Sequence, residues 1–354
     1  MNKTYALLLK TGESEIRAVK NLSKRNGILP IIELTRGRTS KKDRIGLIEK
    51  KINQIHECFS NMDIILDLTA EKALSNGEID SFYIPREGYK NWTNKLIEIK
   101  KSNKFKEIYP TIILNINDPD FNENLDQQVK TLVSEFNGIT YRCNIEDEGF
   151  LDDLEIVHKY RKKIDHFFFV IDSSYIRSSE LKNCTNKSIE IIKAVSERIK
   201  DVSFIITSTS FPDKMGSEDH QTIPLTEINL YNNIINECTG KNIVYGDYGS
   251  INPIRNDNVM MVNGWRPRID IPLQKEIYYY RTRKRPEGYS KTYSLVANEA
   301  YCDENFPEHM ADNWGISQVI NAADGASPGA SPAFWISVRM NIHIEQQMRR
   351  LKLF

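Results

Sequence analysis

Residues 28–59 decide the fold, because they hold "ILPIIEL" at 28–34 and "KKDRIGLIEKKINQIHECF" at 41–59. The first segment is apolar almost throughout, which is typical of a strand buried on both faces of a parallel sheet. The second segment spaces its isoleucines three or four residues apart, which predicts a helix with one apolar face. These isoleucines are Ile45, Ile48, Ile52 and Ile55. The stretch therefore predicts one strand–helix unit.

The same unit recurs along the chain, at the roughly 30–40-residue spacing of strand–helix units. Further short apolar segments are "YALLL" from Tyr5, "DIILDL" from Asp63, "YPTIILNI" from Tyr109, "GITYRCNI" from Gly138, "HFFFVIDSS" from His166, "VSFIITSTS" from Val202 and "NIVYGDY" from Asn242. Amphipathic patterns lie between them. Eight such strands with intervening helices predict an α/β fold, a (β/α)₈ TIM-like barrel. An open doubly wound sheet is the alternative, but no glycine-rich phosphate fingerprint follows the first strand.

The strand–helix rhythm stops after Asp247. Residues 251–333 are expected to form an insertion, or cap, between strand eight and the last helix. Within them, "DIPLQKEIYYYRTRKRPEGYSKTYSLVANEAY" predicts a β-hairpin around Pro286-Glu287-Gly288. The final "FWISVRMNIHIEQQMRRLKLF" predicts the eighth helix. We expect a single barrel domain over residues 1–354, with a C-terminal insertion containing a β-hairpin.

Composition limits the class of protein. The chain has 354 residues, 40% hydrophobic and 27% charged, which supports a substantial core. Lys+Arg and Asp+Glu both total 48, so nucleic-acid binding would need a local basic patch. The five cysteines form no CxxC pair, which favours reduced thiols and a cytoplasmic location. No signal peptide and no apolar segment of membrane-spanning length is present, so we expect no membrane association.

Polar side chains stand at the ends of nearly all the predicted strands. They are Lys10 with Glu13, Glu33 with Arg36, Asp67 with Thr69, Asn115, Arg142 with Asn144, Asp172 with Ser173, Ser208 with Ser210, and Asp247 with Tyr248. The carboxyl ends of barrel strands form the functional face of this fold, so we expect these groups around one cavity. Alternating charges of this kind also suit a purely structural ion-pair network.

Several short motifs stand out along the chain. They are "YALLLKTGESEIRAVKNL" with "ILPIIEL", "STSFP" at 208–212, "GDYGSINP" at 246–253, "YYYRTRK" at 278–284, and Trp335 with Arg339, Asn341 and His343. In this order they resemble the beta-protein family of phages, prophages and bacterial genomes. This chain has Ile342-His343-Ile344 where the family pattern suggests a paired histidine. The resemblance implies a phage-related defence or conflict context and supplies no established reaction.

The predicted function is to bind or process a phosphate-bearing ligand, a nucleotide or nucleic acid, at the barrel mouth. Lys10, Arg142 and Arg281 would bind the anion, because arginine forks match phosphate oxygens. Asp172 and Asp247 would orient those cations or act as acid–base groups, and Tyr248 would donate a hydrogen bond or stack. The full ligand-binding set is Lys10, Glu13, Glu33, Asp67, Arg142, Ser210, Tyr248, Arg281 and Arg283. The catalytic set is Asp172, Asp247 and His220, the last in the loop after strand seven.

Other chemistries receive weaker support. Glu33, Asp67, Asp172 and Asp247 would suit Mg²⁺ or Mn²⁺, but no HExxH or HxH motif accompanies them. GxxxxGK[ST] is absent, which disfavours a P-loop nucleotidase. The alternative to an enzyme is a non-enzymatic sensor that recognises a phage product or regulates a partner toxin, and so has a protein partner from a defence or phage system.

Overall fold

The computed structural model describes residues 4–39, 44–254 and 264–353. Its strands are β1 (Tyr5–Lys10), β2 (Ile28–Leu34), β3 (Asp63–Leu68), β4 (Glu107–Pro110), β5 (Gly138–Asn144), β6 (His166–Tyr175), β7 (Val202–Thr209), β8 (His220–Pro224), β9 (Asn242–Asp247), β10 (Arg268–Pro272) and β11 (Glu276–Arg281). Its α-helices are α1 (Glu13–Lys20), α2 (Glu49–Phe59), α3 (Gly77–Phe82), α4 (Arg86–Lys101), α5 (Phe121–Glu135), α6 (Phe150–Tyr160), α7 (Leu181–Arg198), α8 (Thr226–Glu237), α9 (Tyr289–Tyr301), α10 (Trp314–Ala323) and α11 (Pro332–Arg350).

The predicted TIM-like barrel is confirmed. Eight parallel strands form one sheet in the order β4-β3-β2-β1-β9-β7-β6-β5. Its two edge strands meet where Thr111, just after β4, bridges Thr140 on β5, and the Ile112 amide donates to the Thr140 carbonyl at 2.9 Å. The sheet is therefore a nearly closed ring and not the open alternative.

The alternation of side chains along each strand separates two cores. One set faces the helices, while the other fills the barrel with residues such as Leu8, Ile31, Ile65 and Val170. Two residues further along these four strands come Lys10, Glu33, Asp67 and Asp172. The polar layer therefore lies directly on the apolar barrel core, at the carboxyl ends of the strands.

A second, smaller sheet lies beside the barrel. Its antiparallel order is β10-β11-β8, so a strand from the segment after β7 joins the C-terminal hairpin. Helices α9, α10 and α11 cover this sheet and form a separate core with residues such as Ile271, Tyr293 and Val319. In the described part of the chain, no helix combines the length and apolar composition that a membrane crossing requires.

Two local predictions are wrong. The hairpin joins β10 to β11 through residues 273–275, whereas Gly288, with φ +99°, directly precedes α9. The predicted second helix also begins later than its isoleucine pattern indicates, because α2 starts at Glu49 and Ile45 is 60% exposed. At the hairpin, tertiary packing overrides local propensity, because the tyrosine-rich segment after Gly288 buries one helical face against the small sheet.

Helix α11 links the two cores. It begins with Ser331, whose side chain accepts a hydrogen bond from the Phe334 amide, and Pro332 suits the first helical turn. Met340, Ile344 and Met348 form an apolar stripe that packs on the barrel, and other side chains of the helix pack under the small sheet.

Candidate functional site

Arg142 lies at the centre of the polar layer above the barrel core. Its guanidinium donates from Nη1 to Glu33 at 3.0 Å and to Asp67 at 2.7 Å. It donates to Asp172 from Nε at 3.1 Å and from Nη2 at 2.7 Å. Nη2 also donates to the Tyr248 hydroxyl at 3.2 Å. A guanidinium has five N–H groups, so these five bonds leave Arg142 no free donor.

Strand register explains why these groups meet. Lys10 pairs with Glu33 across β1 and β2, and Glu33 pairs with Asp67 across β2 and β3. The long side chain of Arg142 reaches them across the barrel from β5, next to Asp172 on β6. Ring closure therefore brings together side chains that lie up to 238 residues apart in the chain, from Lys10 to Tyr248 (248 − 10).

Lys10 is also paired. Its Nζ lies 3.7 Å from Glu33, contacts Glu71 more closely, and donates to the Pro253 carbonyl at 2.7 Å. The polar layer thus sets the cations Lys10 and Arg142 against the carboxylates Glu33, Asp67, Glu71 and Asp172. With all of them ionised, the layer carries a net charge of −2 (2 − 4).

The two carboxylates that share Arg142 Nη1 have opposite pKa shifts. Burial alone would raise the pKa of Glu33, but Arg142 and Lys10 lower it by more, so it lies below its ordinary value. Burial raises the pKa of Asp67 above its ordinary value, and Glu33 adds to that rise while Arg142 opposes it. Neighbouring carboxyls separated in this way suit acid–base chemistry.

A cleft of about 400 Å³ opens above these residues, and we call it the acidic cleft. Its polar wall consists of Lys10, Glu33, Asp67, Glu71, Arg142, Asn144, Asp172, Ser174 and Tyr248. The loop after β4 and residues Tyr83, Pro253 and Ile254 form the remaining wall. Tyr248 donates to Asp172 at 2.6 Å, and burial beside that carboxylate raises the pKa of its phenol.

Asp247 does not belong to this cleft, contrary to the expectation that all strand-end charges meet there. It faces outward, fully buried, and accepts hydrogen bonds from the Tyr5 and Tyr245 hydroxyls. His343 Nε2 on α11 lies 2.9 Å away. Burial would raise the pKa of Asp247, but His343 and these hydrogen bonds lower it overall. Tyr245 and Asp247 are two residues apart, so both point toward the helices, while Tyr248 closes the barrel interior.

Ser210 also lies outside the acidic cleft. Its hydroxyl is 2.6 Å from Glu227, a buried residue in the first turn of α8 that the sequence did not mark as unusual. Burial raises the pKa of Glu227 to about 7, and Ser210 opposes that rise while Asp247 adds to it.

Arg281, Arg283 and His220, expected in the site at the barrel mouth, lie elsewhere. Arg281 donates from its Nε to the Glu218 carbonyl at 2.9 Å and also contacts the Gly216 carbonyl. Arg283 is exposed after β11. His220 lies on β8 and stacks on Tyr280 with ring centroids 4.2 Å apart. None of these four residues lines the acidic cleft.

Glu13 is turned away as well, and pairs on the surface with Arg38 at 3.0 Å. The tyrosines in and after β11 are not available to a ligand at the barrel mouth: Tyr278 and Tyr279 are buried, and Tyr289 stacks on Trp265. The structure therefore brings together Lys10, Glu33, Asp67, Arg142, Asp172 and Tyr248. It adds Glu71, which no sequence pattern marked.

The acidic cleft does not fit a divalent cation. Within residues 4–39, 44–254 and 264–353, no three His, Cys, Asp or Glu side chains are grouped as metal ligands. The carboxylates instead bond to Arg142 and Lys10, whose positive charges occupy the place a metal ion would take.

Comparison with known proteins gives one family and one curated relative. The family model described as "Beta protein" matches residues 5–349. Protein beta of Enterobacteria phage P4 is 29% identical over 358 residues, covering 98% of this chain and 93% of that protein. Among solved structures, a GH18 chitinase from Pseudoalteromonas aurantia has 10% identity and a TM-score of 0.44, over 70% of this chain and 94% of the chitinase. The catalytic domain of a GH26 endo-beta-1,4-mannanase from Bacillus sp. JAMB-750 has 9% identity and a TM-score of 0.43, over 70% and 76%.

Proposed function

We propose a function from the premise that this chain belongs to the Beta protein family, a phage-related family. The chain binds a phosphate-bearing ligand of the nucleotide class at the C-terminal barrel face, and the ligand's hydrogen-bond donors enter the acidic cleft. The observation that carries this proposal is the full use of Arg142 by protein acceptors. What remains open to a ligand is a surface of carboxylate oxygens.

The sequence predicted that the phosphate of the ligand would bind to Arg142, whereas here the hydrogen-bond donors of the ligand enter the acidic cleft. A phosphate on Arg142 would have to displace a buried carboxylate, and an unpaired buried charge is costly. Exocyclic amino groups of bases and hydroxyls of sugars are donors, so they suit the cleft without breaking its ion pairs. Glu33 and Asp67 are the best acceptors, because Asp172 Oδ2 already accepts three bonds.

Calorimetric titration of the full chain with nucleosides and nucleoside monophosphates tests this proposal. Asp67→Asn and Glu33→Gln should each weaken nucleoside binding by about tenfold to a hundredfold, the range for hydrogen bonds to charged groups. Asp126→Asn is the matched control, because Asp126 also pairs with a lysine and a tyrosine hydroxyl, at 3.2 and 2.9 Å, but lies outside the cleft. Unchanged affinity in both cleft variants would refute the proposal.

The opposite pKa shifts of Glu33 and Asp67 favour a second candidate, in which the bound ligand is also processed. Asp67 would donate a proton as the acid, and Glu33 would accept one as the base. Turnover of a nucleotide by the parent chain, abolished in Asp67→Asn, is the expected result. Binding with no turnover by the parent chain would instead favour the non-enzymatic sensor.

The cellular setting is also a proposal. A role in phage defence or conflict, with a phage or toxin partner, follows from the family alone. The free cysteines in the described residues support a reducing, cytoplasmic location. A plaque assay tests the role: a phage-related phenotype conferred by the parent chain should be lost in Asp67→Asn and kept in Asp126→Asn. The same phenotype in all three strains would show that the phenotype does not depend on the acidic cleft.

A further inference from the structure

A second buried charge cluster lies beside the acidic cleft, and its two arginines share a single carboxylate. Arg339 on α11 and Arg268 on β10 share the carboxylate of Asp270. Arg339 Nη1 donates to Oδ2 at 2.9 Å, and Arg268 Nε lies 2.8 Å from Oδ1. Both guanidinium groups also lie near the Phe211 ring, with carbon-to-centroid distances of 3.7 Å for Arg339 and 5.6 Å for Arg268. The three charges sum to +1 (2 − 1).

Arg339 differs sharply from Arg142. Its side chain is only 3% exposed, yet within the described ranges it donates one hydrogen bond, the one to Asp270. Its Nε is buried with no partner there. Burial lowers the pKa of Arg339 to about 10, and Arg268 adds to that lowering while Asp270 opposes it. A buried guanidinium with unused donors is stabilised by an added anion.

A cleft of about 330 Å³ opens on this pair, and we call it the arginine cleft. Residues Phe211, Asn252, Arg268 and Arg339 line it, together with the first turn of α1. Gly12, at the N-cap position of α1, provides no side-chain cap. The first backbone N–H groups of a helix lack partners within the helix, and they attract anions.

Three carboxylates also line the arginine cleft and oppose anion binding. Glu13 is paired with Arg38, while Glu15 and Asp213 each make an interaction of their own. Partnered carboxylates repel an incoming anion less than free ones do. An added anion would join the shared carboxylate of Asp270 in neutralising the two arginines.

The two clefts are neighbours. Ile254 lines both, and the adjacent residues Asn252 and Pro253 line one each. We propose that the arginine cleft binds the phosphate of the ligand whose donor groups enter the acidic cleft. This inference rests on the proposed function for the identity of the ligand, but the phosphate site itself can be tested alone.

Calorimetry with inorganic pyrophosphate and with matched nucleoside and nucleoside monophosphate pairs tests the inference. Arg268→Gln is the variant, because Arg268 is 24% exposed and its loss leaves Arg339 and Asp270 paired one to one. Pyrophosphate affinity should fall about tenfold to a hundredfold in Arg268→Gln. It should stay unchanged in Asp67→Asn and in the control Arg281→Gln, whose guanidinium bonds to carbonyls.

The outcomes separate the two proposals. Pyrophosphate that binds equally to the parent chain and Arg268→Gln, or does not bind, overturns the arginine cleft. A monophosphate that binds no more tightly than its nucleoside also overturns it, while nucleoside binding that depends on Asp67 leaves the proposed function standing. If pyrophosphate binding depends on Arg268 but no nucleoside binds, the arginine cleft is an anion site, and the proposal that one ligand occupies both clefts is overturned.

Discussion

Arg142→Gln should destabilise the fold strongly. The substitution leaves Glu33, Asp67 and Asp172 buried together, with side-chain exposures of 7%, 12% and 6%, after removing the cation that bonds to all three. Removing one partner of a buried ion pair costs about 3–5 kcal/mol. That is a large share of the roughly 5–15 kcal/mol by which a domain is stable. We expect a loss of at least about 3 kcal/mol at neutral pH.

The same substitution should also reverse part of the pH dependence of the free energy of unfolding. In the parent chain the pKa of Glu33 is lowered, so its contribution is present above its unfolded pKa and is lost as pH falls through the folded value. Without Arg142, burial raises the pKa of Asp67 further, and only Lys10 and the hydrogen bond from Thr69 still oppose the rise that burial causes in the pKa of Glu33. Protonation then relieves the buried charges, so the gap between variant and parent should narrow from about pH 7 to about pH 5.

Urea unfolding followed by circular dichroism at both pH values measures these effects. Arg161→Gln is the matched control, because Arg161 donates to the carbonyls of Ile164, Lys200 and Asp201 and pairs with no carboxylate among the described residues. The control should lose less than about 1 kcal/mol. A loss below about 1 kcal/mol in Arg142→Gln, or a gap that widens at lower pH, would refute the view that Arg142 neutralises the polar layer.

Three further substitutions separate the networks, and urea unfolding measures each. Asp247→Asn should cost about 1–3 kcal/mol through its bonds to tyrosines and His343, yet leave nucleoside binding unchanged; weaker binding at unchanged stability would restore its predicted role in the cleft. Tyr248→Phe should cost about 1–2 kcal/mol, since the hydroxyl bonds to Asp172 and Arg142; no measurable loss would contradict this. Glu227 has its pKa raised from 4.5 to about 7, so parent stability should decline as pH rises through that window. Glu227→Gln should therefore gain stability relative to the parent between about pH 5 and about pH 8, and parallel pH profiles would disprove the raised pKa.

The repeating strand–helix pattern was readable because it is local. Each buried strand is a short apolar run and each helix has one apolar face, so eight repeats predicted the barrel that the structure has. The strand-end rule then predicted that Lys10, Glu33, Asp67, Arg142, Asp172 and Tyr248 share one cavity, as they do.

The error at Asp247 has a physical cause. In a parallel barrel both faces of a strand are buried, so apolar runs such as "NIVYGDY" hide which residues face inward. Only neighbouring strands and helices decide that Val244 lies inside while Tyr245 and Asp247 face α11. The position of Arg281 was predicted wrongly for a related reason. Its strand, β11, pairs with β8, and even the closest paired residues, Pro224 and Glu276, lie 52 residues apart in the chain, so the pairing exists only in three dimensions.

By itself, the sequence determined the order of strands and helices, the barrel class and the strand-end positions of the charged residues, because periodicity and polarity act over a few neighbouring residues. Only the tertiary structure decided which charges neutralise one another. Closing the ring places Arg142 among Glu33, Asp67 and Asp172, and folding α11 beneath the small sheet places Arg339 beside Arg268 and Asp270. Electrostatic pairing depends on distance in space, so a chain with zero net charge acquires one acidic cleft and one arginine cleft.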